Sequence, residues 1–130
     1  MVGHLGFAWN QDPTGALWNT FGYPIIAPGV DFGAGMGTGL EMVQSNSLTA
    51  CRNDRLPPPS VGIGSTIESG GSGGPWILHF RQTLTDLWTN YAGGVSSYTA
   101  YFEFGGEQDY SPYFDQAVKD LKDQAVRTEP

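Results

Sequence analysis

Gly70-Gly71-Ser72-Gly73-Gly74-Pro75-Trp76 lies in the middle of a 130-residue chain, and its reading decides how the rest is understood. By composition alone such a run is a flexible Gly/Ser linker. Its surroundings oppose that. The run ends abruptly in Pro75-Trp76-Ile77-Leu78, an apolar strand signal that a solvated linker would not adjoin. Nor is there a domain-sized segment on either side to connect. The other reading is a nucleophile loop. A serine that attacks a carbonyl needs an exposed hydroxyl on a tightly turned backbone, with amide N–H groups aimed at the developing oxyanion. Glycine takes the positive-φ conformations that make such amides converge. Here the N–H groups of Gly70 and Ser72 are the candidates for that role, and the small Gly73 and Gly74 let a substrate strand approach.

Outward from this loop the chain reads as short strands and turns. On the N-terminal side, His4–Trp9, Leu17–Tyr23 and Met36–Gln44 are candidate strands, broken by Tyr23-Pro24 and Ala27-Pro28-Gly29. Residues 45–60 are polar and end in Leu56-Pro57-Pro58-Pro59-Ser60, which predicts a loop, since consecutive prolines cannot enter a strand ladder. On the C-terminal side, Trp76–Arg81 and Val95–Phe104 read as strands, the second rich in Val, Tyr, Phe and Thr. The tail changes period. Ser111 is placed to cap a helix with Pro112 at its first position, and the spacing predicts a helix over about 112–126. Phe114, Ala117, Val118, Leu121 and Ala125 share one face of it and are expected to meet the core. The pairs Asp115–Lys119 and Lys119–Asp123 lie opposite. Several short strands plus one terminal helix predict an all-β fold, a sandwich or a barrel.

Composition narrows the function. Six Lys+Arg against thirteen Asp+Glu give a formal charge of −7, leaving almost nothing from which to build a phosphate-reading face. Anionic membrane surfaces are disfavoured for the same reason, and no stretch approaches the apolar length that spans a bilayer. The first residues, Met1-Val2-Gly3-His4, carry neither a basic region nor an apolar core, so no signal peptide is visible. A single cysteine, Cys51, forbids an intrachain disulfide, and two histidines, His4 and His79, leave little for a metal site. No metal and no cofactor is expected.

With its flanks, the central loop resembles the nucleophile motif of trypsin-like (chymotrypsin-fold) serine peptidases, especially the secreted glutamyl-endopeptidase-like branch. That motif has the form Gly-(Asp/Ser/Gly)-Ser-Gly-Gly-Pro, often followed by Trp; here it is Gly70–Trp76. Leu5-Gly6-Phe7-Ala8-Trp9-Asn10 and Phe21-Gly22-Tyr23-Pro24 are similar to the strand and turn that open the family's second lobe. Gly94-Val95-Ser96-Ser97-Tyr98 resembles the strand lining its substrate cleft, and Ser111-Pro112-Tyr113-Phe114 the start of its C-terminal helix. These landmarks occur in family order over nearly the whole chain.

The resemblance implies that residues 1–130 form one antiparallel Greek-key β-barrel lobe with a C-terminal helix, the second of two lobes, with the first lobe absent. It implies Ser72 as acyl-accepting nucleophile, the Gly70 and Ser72 amides as oxyanion hole, and a cleft drawing on Thr66, Ile67, Ser69, Ser97, Tyr98 and Thr99. Peptide or protein would be the substrate, an N-terminal lobe the missing partner, and the location extracellular. The family's histidine and aspartate belong to the first lobe, and neither His4 nor His79 stands in the family's histidine context. His79, seven residues past Ser72 on the strand leaving the loop, is expected to point away from it. Gly71 stands where many relatives carry the aspartate of the zymogen switch, so that switch is not expected. Ser65 stands where several relatives have a cysteine; Cys51 is either the orphaned partner of that bridge or, as the preferred reading, a buried free thiol. A lone lobe is also expected to expose the apolar wall that faces its partner. The alternatives are a non-catalytic remnant and a peptide- or carbohydrate-binding β module.

Overall fold

The computed structural model describes residues 5–25, 42–48, 50–53, 59–67, 70–81, 90–102 and 106–128. The strands are β1 (Gly6–Phe7), β2 (Trp18–Gly22), β3 (Val43–Ser47), β4 (Ala50–Asn53), β5 (Ser60–Gly64), β6 (Pro75–Leu78), β7 (Tyr91–Val95), β8 (Tyr98–Phe102) and β9 (Gly106–Pro112); helix α1 (Gln116–Arg127) follows. One sheet has the order β1-β7-β6-β2-β3 and the other β4-β5-β9-β8. All pairings are antiparallel except β1 with β7. The architecture is therefore all-β with one C-terminal helix.

The two sheets meet over a small core of Trp18 and Val61, Ile63, Trp76 and Leu78. The Trp18 and Trp76 rings meet edge to face, centroids 5.7 Å apart, the arrangement favoured by ring quadrupoles. Each indole also has a polar outlet: Trp18 Nε1 donates to the Pro13 carbonyl at 3.1 Å, and Trp76 Nε1 to Ser96 Oγ at 3.1 Å. A buried N–H without an acceptor would cost about 1–3 kcal/mol.

β2 lies inside its expected segment, whereas β6 starts at Pro75, one residue before Trp76–Arg81, and ends at Leu78. Of the first and third candidate strands, only Gly6–Phe7 and Val43–Gln44 are β among the described residues; residues 36–41 lie outside them. Val95–Phe104 is not one strand, because the chain leaves β7 at Val95 and re-enters at Tyr98 to pair with β9 instead. The stretch 45–60 is not a plain loop: it holds the end of β3 and all of β4.

The helix starts later than expected. Ser111 and Pro112 continue β9, opposite Val61 and Ser60. The cap is Asp115, whose carboxylate accepts from the Ala117 and Val118 amides at 2.9 and 3.2 Å. The apolar stripe is not core either, for no residue of α1 is buried and Leu121 is 67% exposed. The helix is tethered at its beginning. The Phe114 carbonyl accepts from the Asn10 amide at 2.7 Å, Phe114 stacks on Phe7, and Lys119 sits over the Trp9 ring.

Because α1 buries nothing, its cap should stabilise it locally. Asp115→Ala removes two amide partners and should cost the helix about 1 kcal/mol. Amide exchange at residues 116–119 should accelerate, while the unfolding midpoint followed by Trp fluorescence barely moves. A matching fall of both would show that the helix belongs to the cooperative core.

Candidate active site

The loop between β5 and β6 is built by backbone geometry. Gly71 accepts from the Gly74 amide at 3.0 Å, closing a tight turn with Ser72 and Gly73 at its two central positions. Gly73 has φ +84°, as the third residue of a type II turn requires. Gly70, on the other side of the serine, has φ +96°. The turn is then stitched to the residue following β7: the Gly73 amide donates to the Ser96 carbonyl at 2.7 Å, and the Ser96 amide donates to the Gly74 carbonyl at 2.9 Å. Its other flank lies against β2, where a Cβ on Gly74 would overlap the Phe21 carbonyl oxygen. Only glycine permits that approach.

The result is an exposed Ser72 at the tip of a fixed turn. Among the described residues the amides of Gly70 and Ser72 donate to no acceptor, as an anion-receiving pair requires. The serine stands on a groove of about 410 Å³, within the range of small-ligand pockets. Ile67, Gly70 and Gly71 line it together with the run Ser96–Thr99. Of the residues the sequence assigns to a cleft, Ile67, Ser97, Tyr98 and Thr99 line this groove. Thr66 does not: it is exposed off the groove, its amide donating to Ser45 Oγ at 3.2 Å. Ser69 lies outside the described residues.

The groove holds one residue that the sequence reading missed, Asp109. It sits on β9 directly across from Thr99 of β8 and is 2% exposed. Its Oδ2 accepts the Ser96 hydroxyl proton at 2.6 Å and the Trp76 indole proton at 3.2 Å. Burial dominates its titration and raises the carboxyl above its ordinary value, while hydrogen bonds from Ser96, Trp76 and the Tyr110 backbone pull in the other direction. A signal existed in the alternation of Gln108-Asp109-Tyr110-Ser111, which puts Asp109 and Ser111 on one face.

No general base for Ser72 is found among the described residues. His79 is exposed and follows the far end of β6, where it borders a separate cleft with Phe7, Trp9 and Tyr91. His4 lies outside the described residues. Cys51 is exposed, not buried, with Sγ 3.7 Å from both the Gly62 carbonyl and Gln108 Oε1. Ser65 is buried and accepts from the Ile67 amide at 3.1 Å. Trp18 and Trp76 are core residues, not a sugar platform. Among the described residues no group of three metal-ligating side chains occurs, and no helix is long and apolar enough to cross a membrane. No family model, curated protein or solved structure matches the chain.

Two outcomes follow for this region. Gly74→Ala should lower unfolding free energy by about 3 kcal/mol or prevent folding, because backbone oxygen cannot yield as a side chain can. Gly73→Ala has open space around its Cβ and should cost only the left-handed backbone penalty, about 1–2 kcal/mol. Urea titration distinguishes them, and equal costs would refute the close-approach argument. For Asp109, a raised folded-state pKa means that the folded chain holds this proton more tightly than the unfolded chain. Its contribution is full below the ordinary carboxylate pKa and is lost as pH rises through the raised one. The stability of the native protein minus that of Asp109→Asn should therefore fall across that window and be flat above it. A difference that rises with pH would reverse the assignment.

Proposed function

We propose that this chain is the nucleophile-bearing lobe of a trypsin-like serine endopeptidase. Ser72 Oγ attacks the scissile carbonyl carbon as its proton passes to a base, the Gly70 and Ser72 amides hold the oxyanion of the tetrahedral intermediate, the amine leaves with that proton as the C–N bond breaks, and water hydrolyses the acyl-enzyme that remains. The histidine that takes the serine proton and the aspartate that orients it come from a first lobe supplied by another segment or chain. The observation carrying this reading is the exposed Ser72 on a glycine turn, lining a groove together with the Ser96–Thr99 run. Secretion, as in the family, is part of the same proposal.

Strand adjacency supports the lobe. The described strands form two separate sheets, and β7 of one lies beside β9 of the other, a proximity compatible with a barrel lobe. The join between the two sheets is supported by the Ser97 amide donating to the Tyr110 carbonyl at 2.8 Å and the Val95 amide to Ser111 Oγ at 2.9 Å. Tyr23, Ile25 and Met42, each about half exposed, lie near the serine end of β2, where a partner lobe would cover them. A non-catalytic peptide-binding lobe is the second reading, favoured by the lack of a described base.

A serine-directed fluorophosphonate separates the two. Without a base the chain should label slowly at Ser72. Adding a segment that supplies the histidine and aspartate should raise the rate about 10²-fold or more, the usual size of general-base assistance. Ser72→Ala should abolish labelling. Absence of labelling at intact Ser72 under both conditions would remove the catalytic reading and leave the binding one.

A further inference from the structure

A second cleft opens at the other end of β6 from the Ser72 turn. It encloses about 550 Å³ and shares no lining residue with the Ser72 groove. That volume is within the range of small-ligand sites. Phe7, Trp9 and Tyr91 line it, and each is only half-buried, so ring surface is left uncovered. Gln11 and His79, both exposed, supply its polar groups. No carboxylate, ammonium or guanidinium is found among the described residues that line it, in a chain with thirteen Asp+Glu.

The rings are held in place by their own surroundings. Phe7 stacks on Trp9 and on Phe114, with centroids 6.1 and 5.5 Å apart. The Lys119 ammonium lies 5.2 Å from the Trp9 ring centroid. Gly6 gives the Tyr91 ring its position, for a Cβ there would fall 2.5 Å from Tyr91 Cδ1. Gln11 Nε2 donates to the Trp9 carbonyl at 2.9 Å. The backbone is bent around the same cleft. Among the described residues the non-glycine residues with positive φ are Asn10, His79 and Asn90. His79 lines the cleft, Asn10 separates Trp9 from Gln11, and Asn90 precedes Tyr91. Asn90 is buried, and its side chain bonds the Arg81 amide and carbonyl at 2.8 and 3.0 Å while its amide donates to the His79 carbonyl at 3.2 Å. Backbone of this kind persists where neighbours over-determine it, and it clusters at active and ligand-binding sites.

The lining selects a class of ligand. A charged ligand finds no opposite charge in it. A wholly apolar ligand would cover the Gln11 amide and the His79 imidazole without replacing their hydrogen bonds to water. A neutral sugar meets both conditions. Its pyranose ring carries C–H groups on its faces, which suit the negative faces of aromatic rings, and hydroxyls around its rim. An amide and an imidazole each offer a donor and an acceptor to such hydroxyls. We infer that this cleft binds a neutral pyranose oligosaccharide, packed on Phe7, Trp9 and Tyr91 with its hydroxyls on Gln11 and His79. Such binding requires nothing of Ser72, and holds for a catalytic and for a non-catalytic lobe alike.

The test is a titration of the intact chain, followed by NMR, with cellobiose, N,N′-diacetylchitobiose and, as an aromatic control, indole. At least one disaccharide should shift the Trp9 indole N–H and the Tyr91 amide saturably and bind more tightly than indole. Trp9→Ala should weaken that binding about tenfold, as loss of an aromatic contact does. Gln11→Ala and His79→Gly should each weaken it about fivefold, the size of one hydrogen bond. Glycine accepts the positive φ of position 79 without strain, and both residues are exposed, so these two variants decide the matter should Trp9→Ala not fold. No saturable shift at the solubility limit of either sugar, or tighter binding of indole, would overturn the inference. So would shifts centred on Tyr98 and Thr99 instead, or an affinity unmoved by both Gln11→Ala and His79→Gly.

Discussion

The short hydrogen bond from the Ser96 hydroxyl to the buried Asp109 carboxylate is the contact on which the candidate site depends. It connects β9 to the residue that follows β7, and the Trp76 indole brings β6 to the same carboxylate. Two strands, one from each sheet, and the segment leaving β7 therefore converge on one acceptor. Burying a carboxylate is costly, and hydrogen bonds to a charged group recover about 1.5–3 kcal/mol each. The arrangement is favourable only with the donors in place, so it fixes the relative position of the strands that bring them. Removing one donor leaves the charge under-satisfied instead of merely loosening a contact.

From Ser96 the constraint passes directly into the glycine turn. Its backbone carbonyl and amide bond to Gly73 and Gly74, while its side chain is held by Asp109. The turn is thus fastened by peptide groups, with the Phe21 carbonyl as a wall on the other flank. Ser72 needs no side-chain hydrogen bond of its own to keep its position. That is the economy of a glycine-rich loop: with no Cβ atoms to accommodate, backbone can approach backbone, and among the described residues the Gly70 and Ser72 amides find no acceptor.

Legibility in the sequence follows from which part of a residue does the work. The turn was legible because glycines and a serine in that order have few other uses beside an apolar strand. Trp18–Gly22 and Pro75–Leu78 were legible because their apolar and β-branched residues are buried. β9 was missed because it buries Asp109 and Ser111 beside Tyr110, and β5 because its two buried apolar residues, Val61 and Ile63, stand alone among Ser and Gly after the proline run. Buried hydroxyls and a carboxylate leave little hydrophobic alternation to read in β9. The same cause displaced the helix start, for Ser111 and Pro112 look like a cap and a first helical residue until β5 pairs with them. The apolar face of α1 misled for the opposite reason. Amphipathic spacing identifies a face that prefers cover, but does not say that this lobe supplies it, and Leu121 and Val126 remain open.

The same division separates what these strands fix by themselves from what the proposed activity would still need. An anion-receiving pair of amides is a matter of conformation, and conformation here is secured by hydrogen bonds internal to the lobe. A general base is a matter of pKa and reach, and no described histidine stands beside Ser72. The carboxylate at hand, Asp109, cannot substitute. It is committed to Ser96, Trp76 and a backbone amide, and taking a serine proton would require giving up contacts that hold the turn itself. On the proposed reading the oxyanion site and the base are physically separable. The turn forms once its strands pair, while the base would be a group that does not depend on those strands. Binding and positioning of a substrate would then precede any capacity to cleave it.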